Sequence, residues 1–361
     1  MSSFRSVLRA LDLWLFVPAL VLALISGLAM VSAAATLDPA LAVRHAWWIV
    51  LGLAAAFGVS RLDYRRWSDL AGPAYLIALL ALMAVLAAGA VRLGATRWLS
   101  LFGVSLQPSE PMKLTTVWLL ARYLSGQPSP LPARTVVASL GLAGLPALLI
   151  VIQPDLGSAS IFFAIWLGMA WAAGLCRRHL AWLSGALAVI LPLGWHLLKD
   201  YQRDRLMVFL NPHVDPLGAG YTIIQSVIAI GSGRLWGRGW LAGTQNQLSF
   251  LPERHSDFLF SVIGEEWGFL GCTTVVLLFG LLLVRAVRLA QETSEPQGRL
   301  AAVGIFSWLG YQAFVNMGMV MGLLPVVGIP LPLLSYGGTA MVSVWMAIGF
   351  LLAIRRIDRL T

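Results

Sequence analysis

Residues Leu13–Ala35 read LWLFVPALVLALISGLAMVSAAA, a run that contains no charged side chain. About 20 apolar residues in an α-helix cross the hydrocarbon core of a bilayer, and this run is long enough. Comparable runs recur along the whole chain, in which 59% of the 361 residues are hydrophobic and 11% are charged. So few charged side chains cannot cover a water-soluble globule of this size. The sequence therefore predicts an all-α, polytopic integral membrane protein with a single membrane domain, residues 1–361.

The apolar runs divide into about ten predicted transmembrane helices. The fourth is short and contains the charged side chain of Lys113, which makes it the weakest of the set. The predicted bounds are Leu13–Ala35, Ala46–Ser60, Ala74–Ala90, Pro111–Leu124, Thr135–Ile152, Ser158–Leu175, Leu180–Leu198, Trp267–Val284, Leu300–Leu324 and Gly337–Ile354.

The arginines predict the orientation of these helices, because cytoplasmic loops carry an excess of basic residues. With both termini in the cytoplasm, the short outer loops hold only Arg44, Arg92 and Arg97. One helix more or fewer would place every later arginine on the opposite side. The arginines on the predicted inner side are Arg5, Arg9, Arg61, Arg65, Arg66, Arg122, Arg134, Arg177, Arg178, Arg285, Arg288, Arg299, Arg355, Arg356 and Arg359.

The formal net charge of +9 raises the question of a nucleic-acid partner. The arginines are distributed over helix ends and form no continuous basic stripe, which argues against nucleic acid. Anionic membrane lipids are the expected partners of such residues.

One connection is much longer than the others: residues 199–257, on the predicted outer side between predicted helices 7 and 8. Connections of this length in a compact domain usually carry function. It contains Arg203 and Arg205, and it ends in a polar cluster that includes Arg254 and Asp257. Its apolar part, Tyr221–Ile230, is a candidate to dip back into the edge of the membrane.

Glu110 and Lys113 enter the fourth predicted helix together. A charged side chain at membrane depth costs about 2.5–3.5 kcal/mol on insertion scales, so such groups face each other or a cavity. Residues three apart share one helix face and can pair. Two interpretations stay open, a structural ion pair and an outward-facing polar pocket.

Five motifs resemble those of the SEDS family (shape, elongation, division and sporulation). They are FLPERHSDFLFSVIGEEWG at 250–268, GATRW at 94–98, QPSE at 107–110, QPDLG at 153–157 and PLLSYGG at 332–338. Members of that family are bacterial inner-membrane glycosyltransferases that polymerise lipid II outside the cytoplasmic membrane. The PERH sequence at 252–255 is more similar to the elongation branch, RodA, than to the division branch, FtsW.

The resemblance implies roles for individual residues. The essential acidic residue of the family falls on Asp257, expected to be the general base, and the family's polar substrate pocket includes the positions of Glu110 and Lys113. The family usually has threonine where this chain has Ser256. From position alone, Asp257 could instead cap the following helix. The outer-side arginines expected to bind the pyrophosphate of the substrate are Arg97, Arg203, Arg205 and Arg254.

The resemblance also implies a divalent cation, Mg²⁺ or Mn²⁺, with Asp257, Glu110 and Glu265 as possible ligands. It implies two kinds of protein partner, a class B penicillin-binding protein transpeptidase and other proteins of the elongation complex. The competing functions are a lipid II flippase and a scaffold for cell-wall enzymes. A transporter typically has charged residues through the depth of several helices, and here most predicted spans have none.

Overall fold

The computed structural model describes residues 12–88, 90–92, 95–101, 104–197, 200–216, 218 and 220–358. Each predicted span overlaps a helix, and most of these helices extend beyond at least one predicted end. Leu198, at the predicted end of one span, lies outside the described residues, as do Lys199 and Gly94. The span helices are α1 Leu13–Ala34, α2 Ala40–Arg61, α3 Tyr64–Ala88, α4 Ser109–Ser125, α5 Ala133–Ile152, α6 Leu156–Ala172, α7 Arg177–Leu197, α11 Leu259–Glu292, α12 Pro296–Val320 and α13 Gly338–Asp358.

Within the described residues, seven helices are long and apolar enough to cross a membrane: α1, α2, α3, α5, α11, α12 and α13. Helices α4 and α6 are shorter, with 17 residues each. Helix α4 is the least apolar of the span helices because Glu110 and Lys113 stand in its first turns. The chain is thus a multi-pass helical membrane protein.

Helix α12 lies at the centre of the bundle, where it packs against α4, α6 and α11. Around it, α13 packs along α2, and α1 packs along α11. The α2–α13 contact is close because Gly349 has no side chain: a Cβ there would lie 2.5 Å from the Ala56 carbonyl oxygen. Small residues of this kind let helix backbones approach each other in a membrane, where apolar burial alone does not drive association.

The long connection is mostly helical rather than irregular. It contains α8 Asp200–Leu210, a 3-10 turn at Pro212–Val214, α9 Tyr221–Ser232 and the short α10 Thr244–Gln247. Helix α9 contains the apolar stretch expected to dip back, and it packs on α11 and α12. Ser226 fixes it there, because its hydroxyl donates to the Val320 carbonyl oxygen at 2.6 Å and lies 2.8 Å from the Ser261 hydroxyl.

The prediction of an all-helical chain missed a small antiparallel sheet. Its strands are β1 Ala90–Arg92, β2 Ala95–Leu101 and β3 Val104–Leu106, with Leu99 opposite Leu106 in the register of β2 and β3. Glycines at 89, 94 and 103 interrupt the segment between α3 and α4 and disfavour another helix there. Pairing the strands satisfies the backbone groups that an irregular loop would leave exposed.

Helix α11 begins at Leu259, well before the predicted start at Trp267, and it breaks at Gly268. The backbone of Gly268 has φ 68° and ψ −159°, a conformation that is essentially restricted to glycine. Residues 234–239 of the long connection form backbone hydrogen bonds with α11 on both sides of the break. The Phe269 and Leu270 amides donate to the carbonyl oxygens of Arg234 (2.8 Å) and Leu235 (3.3 Å).

Charged residues form a network at the end of the bundle away from the long connection. Arg285 donates to Asp12 at 2.6 Å and to Glu292 at 3.0 Å, and Arg355 donates to Glu292 at 2.7 Å. Arg356 donates to the Arg61 carbonyl oxygen at 2.8 Å. We call this end of the bundle the arginine end. Of the arginines predicted on the same side, Arg5, Arg9 and Arg359 lie outside the described residues.

Candidate active site

Asp257 lies two residues before α11, in a segment held by backbone hydrogen bonds. Its amide donates to the Glu253 carbonyl oxygen at 3.1 Å, and its own carbonyl oxygen accepts from Asn316 Nδ2 at 2.9 Å. The N-cap position of α11 is Phe258, whose side chain makes no capping hydrogen bond, so Asp257 stands one residue before that position. The roles of Asp257 as general base and as helix cap both stay predictions. Its half-buried carboxylate faces Gly328, where a Cβ would lie 3.4 Å from Oδ2.

Glu110 and Lys113 form a fully enclosed ion pair. Lys113 Nζ lies 2.8 Å from Glu110 Oε1, and the two side chains are 0% and 1% exposed. The ammonium also donates to Gln312 Oε1 at 3.2 Å, and it lies 5.2 Å from the centre of a Trp308 ring. A buried charge needs both a counter-charge and hydrogen bonds, and this site supplies them. The structure thus contains the ion pair, and its side chains are enclosed by protein.

The segment 327–336 connects the surroundings of Lys113 to those of Asp257. Gln312 Nε2 donates to the Pro330 carbonyl oxygen at 2.8 Å, and Asn316 Nδ2 donates to the Ile329 carbonyl oxygen at 2.7 Å. At its far end, the Tyr336 amide donates to the His255 carbonyl oxygen at 2.9 Å. The PLLSYGG and PERHSD motifs, distant in sequence, are therefore neighbours in the fold.

His255 packs its ring against the ring of Tyr336, with the centroids 5.8 Å apart. Burial lowers the pKa of the His255 imidazole. The carboxylate of Glu253 acts in the opposite direction, and the neighbouring charge of Arg254 lowers the pKa further. The imidazole is therefore neutral at pH 7.

Arg254 was expected to bind substrate, and the structure places it in the interior instead, with 1% of its surface exposed. Its Nε donates to the Ala33 carbonyl oxygen at 3.0 Å, Nη1 donates to the Asn246 carbonyl oxygen, and Nη2 donates to Thr36. All three guanidinium nitrogens are engaged by the protein. Arg254 thus ties the segment before Asp257 to the end of α1.

Arg97 joins two of the sequence motifs. Its Nη2 donates to the Pro154 carbonyl oxygen at 2.7 Å, and its Nε lies 3.4 Å from Asp155 Oδ2. Asp155 caps α6 by accepting from the Ser158 amide at 3.0 Å. The same turn packs closely on the 327–336 segment, because a Cβ on Gly157 would lie 2.4 Å from the Val327 carbonyl oxygen. The Arg97 side chain is 27% exposed, so its outer edge remains accessible.

Arg203 and Arg205 both lie on α8. Arg203 Nη2 donates to the His196 carbonyl oxygen at 3.1 Å, near the end of α7. The side chain of Arg205 lies outside the part of the structure that is described. The expectation that these two arginines bind substrate stays a prediction.

Glu265 was a candidate metal ligand, and both its oxygens accept hydrogen bonds from the protein. Oε1 accepts from the Gln245 amide at 2.8 Å and Oε2 from the Asn246 amide at 3.1 Å, so this carboxylate caps α10. Nowhere in the described residues do three or more His, Cys, Asp or Glu side chains come together as a metal site. A divalent cation at Asp257 would need most of its oxygen ligands from a phosphorylated substrate, as is common for Mg²⁺.

A family model described as Cell cycle protein, of the FtsW, RodA and SpoVE type, matches residues 5–360. The chain belongs to this family. It is 42% identical over 307 residues to the peptidoglycan glycosyltransferase MrdB of Escherichia coli K12, a match that covers 85% of this chain and 83% of MrdB.

Two solved structures of this FtsW/RodA/SpoVE family share the fold. One is a chain of a peptidoglycan synthase complex that coordinates polymerization and crosslinking, with a TM-score of 0.84, 33% identity, and coverage of 96% of this chain and 98% of that one. The other is the rod shape determining protein RodA of Thermus thermophilus, with a TM-score of 0.73, 31% identity, and coverage of 96% and 97%. The all-α membrane fold and the resemblance in the motifs are thereby confirmed.

Gln312 and Asn316 contact the 327–336 segment, and Asn316 also contacts Asp257, but neither amide was among the residues predicted from the sequence. Both are buried amides in α12, four residues apart and therefore on one helix face. A signal was present, since polar side chains within a transmembrane helix normally mark a site or a partner. The sequence predictions for the membrane spans rested on charged side chains, and the amides of Gln312 and Asn316 carry no charge.

Proposed function

We propose that this chain is a peptidoglycan glycosyltransferase that polymerises lipid II into glycan strands at the outer face of the bacterial inner membrane. The family and its named relatives support the class of enzyme. The observation that carries the proposal is Asp257, a half-buried carboxylate whose backbone is fixed by Asn316 at one end of a membrane bundle.

The distribution of charge supports the outward orientation of this site. Arg285 and Arg355 lie at the arginine end, and Asp257 precedes the opposite end of α11. Basic residues favour the cytoplasmic side of a membrane. The arginine end then faces the cytoplasm, and Asp257 faces outward.

The reaction needs a base and a way to stabilise the leaving group. The 4-hydroxyl oxygen of one sugar forms a bond to the anomeric carbon of the other, and the bond from that carbon to the phosphate oxygen breaks. Asp257 accepts the hydroxyl proton, and the lipid pyrophosphate leaves with the bonding electrons. A positioned general base contributes about 10²–10⁴ to such a rate.

Two features are proposed to hold the pyrophosphate. Arg97 is part-exposed on the 327–336 side of the site, and a guanidinium matches phosphate geometry. A divalent cation, Mg²⁺ or Mn²⁺, would neutralise phosphate charge, and Asp257 together with substrate phosphate oxygens would hold it. In this proposal Glu110 and Lys113 act on the site from within the protein, because neither side chain reaches its surface.

The proposed partner is a class B penicillin-binding protein transpeptidase, within an elongation complex. The structural similarity to a chain of a peptidoglycan synthase complex supports this partner. The similarity to MrdB and to RodA supports a role in elongation over one in division. Membrane lipids surround the exposed apolar faces of α2 and α3, which include Trp47 and Ile77.

The test is lipid II polymerisation by purified protein with its cognate transpeptidase, comparing wild type with Asp257→Ala. Asp38→Asn is a matched control, because Asp38 is a part-exposed carboxylate paired with Arg44 at 2.7 Å. We expect glycan from wild type and the control, and a loss of at least about 10² with Asp257→Ala.

The other outcomes each correct a different part of the proposal. If Asp257→Ala polymerises normally, Asp257 is not the base. If wild type makes no glycan but moves lipid II across a vesicle membrane, the protein is a transporter.

A further inference from the structure

The ion pair of Glu110 and Lys113 cannot touch a substrate directly, since the side chains are 1% and 0% exposed. Each of its described contacts beyond the pair is with α12. Lys113 Nζ donates to Gln312 Oε1 at 3.2 Å and stands over the ring of Trp308. Trp308 Nε1 in turn donates to the same Gln312 oxygen at 2.8 Å. The ion pair therefore fixes the orientation of the Gln312 amide.

The Gln312 amide carries this orientation to the 327–336 segment. With its oxygen held by Lys113 and Trp308, its Nε2 is directed at the Pro330 carbonyl oxygen, 2.8 Å away. The next residue on the same helix face, Asn316, contacts the adjoining carbonyl: its Nδ2 donates to Ile329 at 2.7 Å. Two successive peptide groups of the segment are thus bound by two amides of α12.

Asn316 makes the final link. The same Nδ2 atom also donates to the Asp257 carbonyl oxygen at 2.9 Å, so one amide holds the segment 327–336 and the backbone of Asp257 together. Asn316 is itself completely buried. Because Nδ2 is buried, loss of either carbonyl acceptor would leave a donor unsatisfied, which keeps these two contacts in place.

We infer that Gln312 and Asn316 are positioning residues that connect the buried Lys113–Glu110 pair to Asp257 and set where its carboxylate stands. We call Trp308, Gln312 and Asn316 the amide ladder. The inference rests on the proposed glycan polymerisation, and it explains how an enclosed ion pair acts on Asp257 through two amides of α12.

The experiment compares Gln312→Leu, Asn316→Leu and the double variant with wild type in lipid II polymerisation. Each single change displaces the carboxylate, so we expect kcat to fall about tenfold to a hundredfold while KM stays within about twofold. Because the two residues act in series, the double variant should be no worse than the worse single variant. Asn316→Ser keeps one donor and should recover part of the rate.

The control is Ser139→Ala, which removes a buried hydrogen bond from Trp166 (3.0 Å) on helices outside the amide ladder. It should keep wild-type kcat while losing a comparable amount of stability. Retention of wild-type kcat by Asn316→Leu, or additive losses in the double variant, would overturn the inference.

A second readout requires no activity and so separates this inference from the proposed function. None of the described hydrogen bonds of Gln312 is with residues 253–258, yet Gln312→Leu should speed hydrogen exchange there as well as at 327–331. Unchanged hydrogen exchange at 253–258 in Gln312→Leu would overturn the inference even if the wild-type protein makes glycan. If Gln312→Leu does not fold, exchange at 253–258 in Gln312→Asn, which also shortens the side chain away from Pro330, decides the same question.

Discussion

Arg254 Nε lies 3.0 Å from the carbonyl oxygen of Ala33, and this hydrogen bond joins the segment before Asp257 to the end of α1. An arginine directed into the protein leaves its acceptors without partners when it is removed.

Arg254→Met should destabilise the protein without changing how substrate binds. The carbonyl oxygens of Ala33 and Asn246 lose their donor, and each unsatisfied buried group costs about 1–3 kcal/mol. Thr36 also loses its donor, but it is exposed and can bond to water instead. We expect a lower thermal unfolding temperature and an unaltered KM for lipid II in the folded fraction. A stable variant with a raised KM would mean that Arg254 contacts substrate after all.

Removing one member of the buried ion pair should cost more stability than removing both. Lys113→Met alone leaves the Glu110 charge uncompensated, which costs about 3–5 kcal/mol for a buried pair. The double variant Lys113→Met with Glu110→Met should regain stability but not activity, since Gln312 loses its hydrogen bond from Lys113 in both. Thermal unfolding and polymerisation rates measure the two effects separately. Recovery of activity in the double variant would argue against the amide ladder.

Gly268→Ala should disrupt the break in α11. The left-handed backbone there costs about 1–3 kcal/mol for other residues, and a Cβ would lie 2.3 Å from the Gly237 nitrogen. Gly280→Ala, in the same helix with open space around it, is the matched control and should change stability by at most about 1 kcal/mol. Equal unfolding temperatures for the two variants would contradict the assigned geometry.

Stability should fall in mild acid partly because of His255. Its pKa in the folded protein lies below the unfolded value of about 6.5, so the folded state binds fewer protons. The stability that the neutral His255 contributes is fully present at pH values above about 6.5, the unfolded pKa. It is lost progressively as the pH falls from there towards the folded pKa. Thermal unfolding at pH of about 7.5 and about 5.5 measures the loss. His255→Gln should reduce the difference between the two, and an unchanged difference would assign it to other groups.

The membrane helices could be predicted from the sequence because the length of an apolar run is set by the bilayer. The pairing of Glu110 with Lys113 also followed from their spacing, and the structure contains it. The burial of Arg254 could not be predicted, because nothing local indicates that its partners are Ala33 and Thr36, far away in the chain. The helices of the long connection were missed since they are short, and α9 is stabilised by packing on α11 and α12.

The break at Gly268 makes the long connection a structural part of the membrane domain. Phe269 and Leu270 have no intrahelical acceptor across the break, and Arg234 and Leu235 provide one for each. In exchange, the carbonyl oxygens of Glu265 and Glu266 accept from Arg238 and Gly239 at 3.0 Å each. If the long connection were deleted, the Phe269 and Leu270 amides and the Glu265 and Glu266 carbonyls would lose these hydrogen bonds. Within the hydrocarbon region of a membrane, no water could replace their partners. The long connection is therefore needed for the backbone hydrogen bonding of α11, and the apolar helices alone do not make a complete membrane domain.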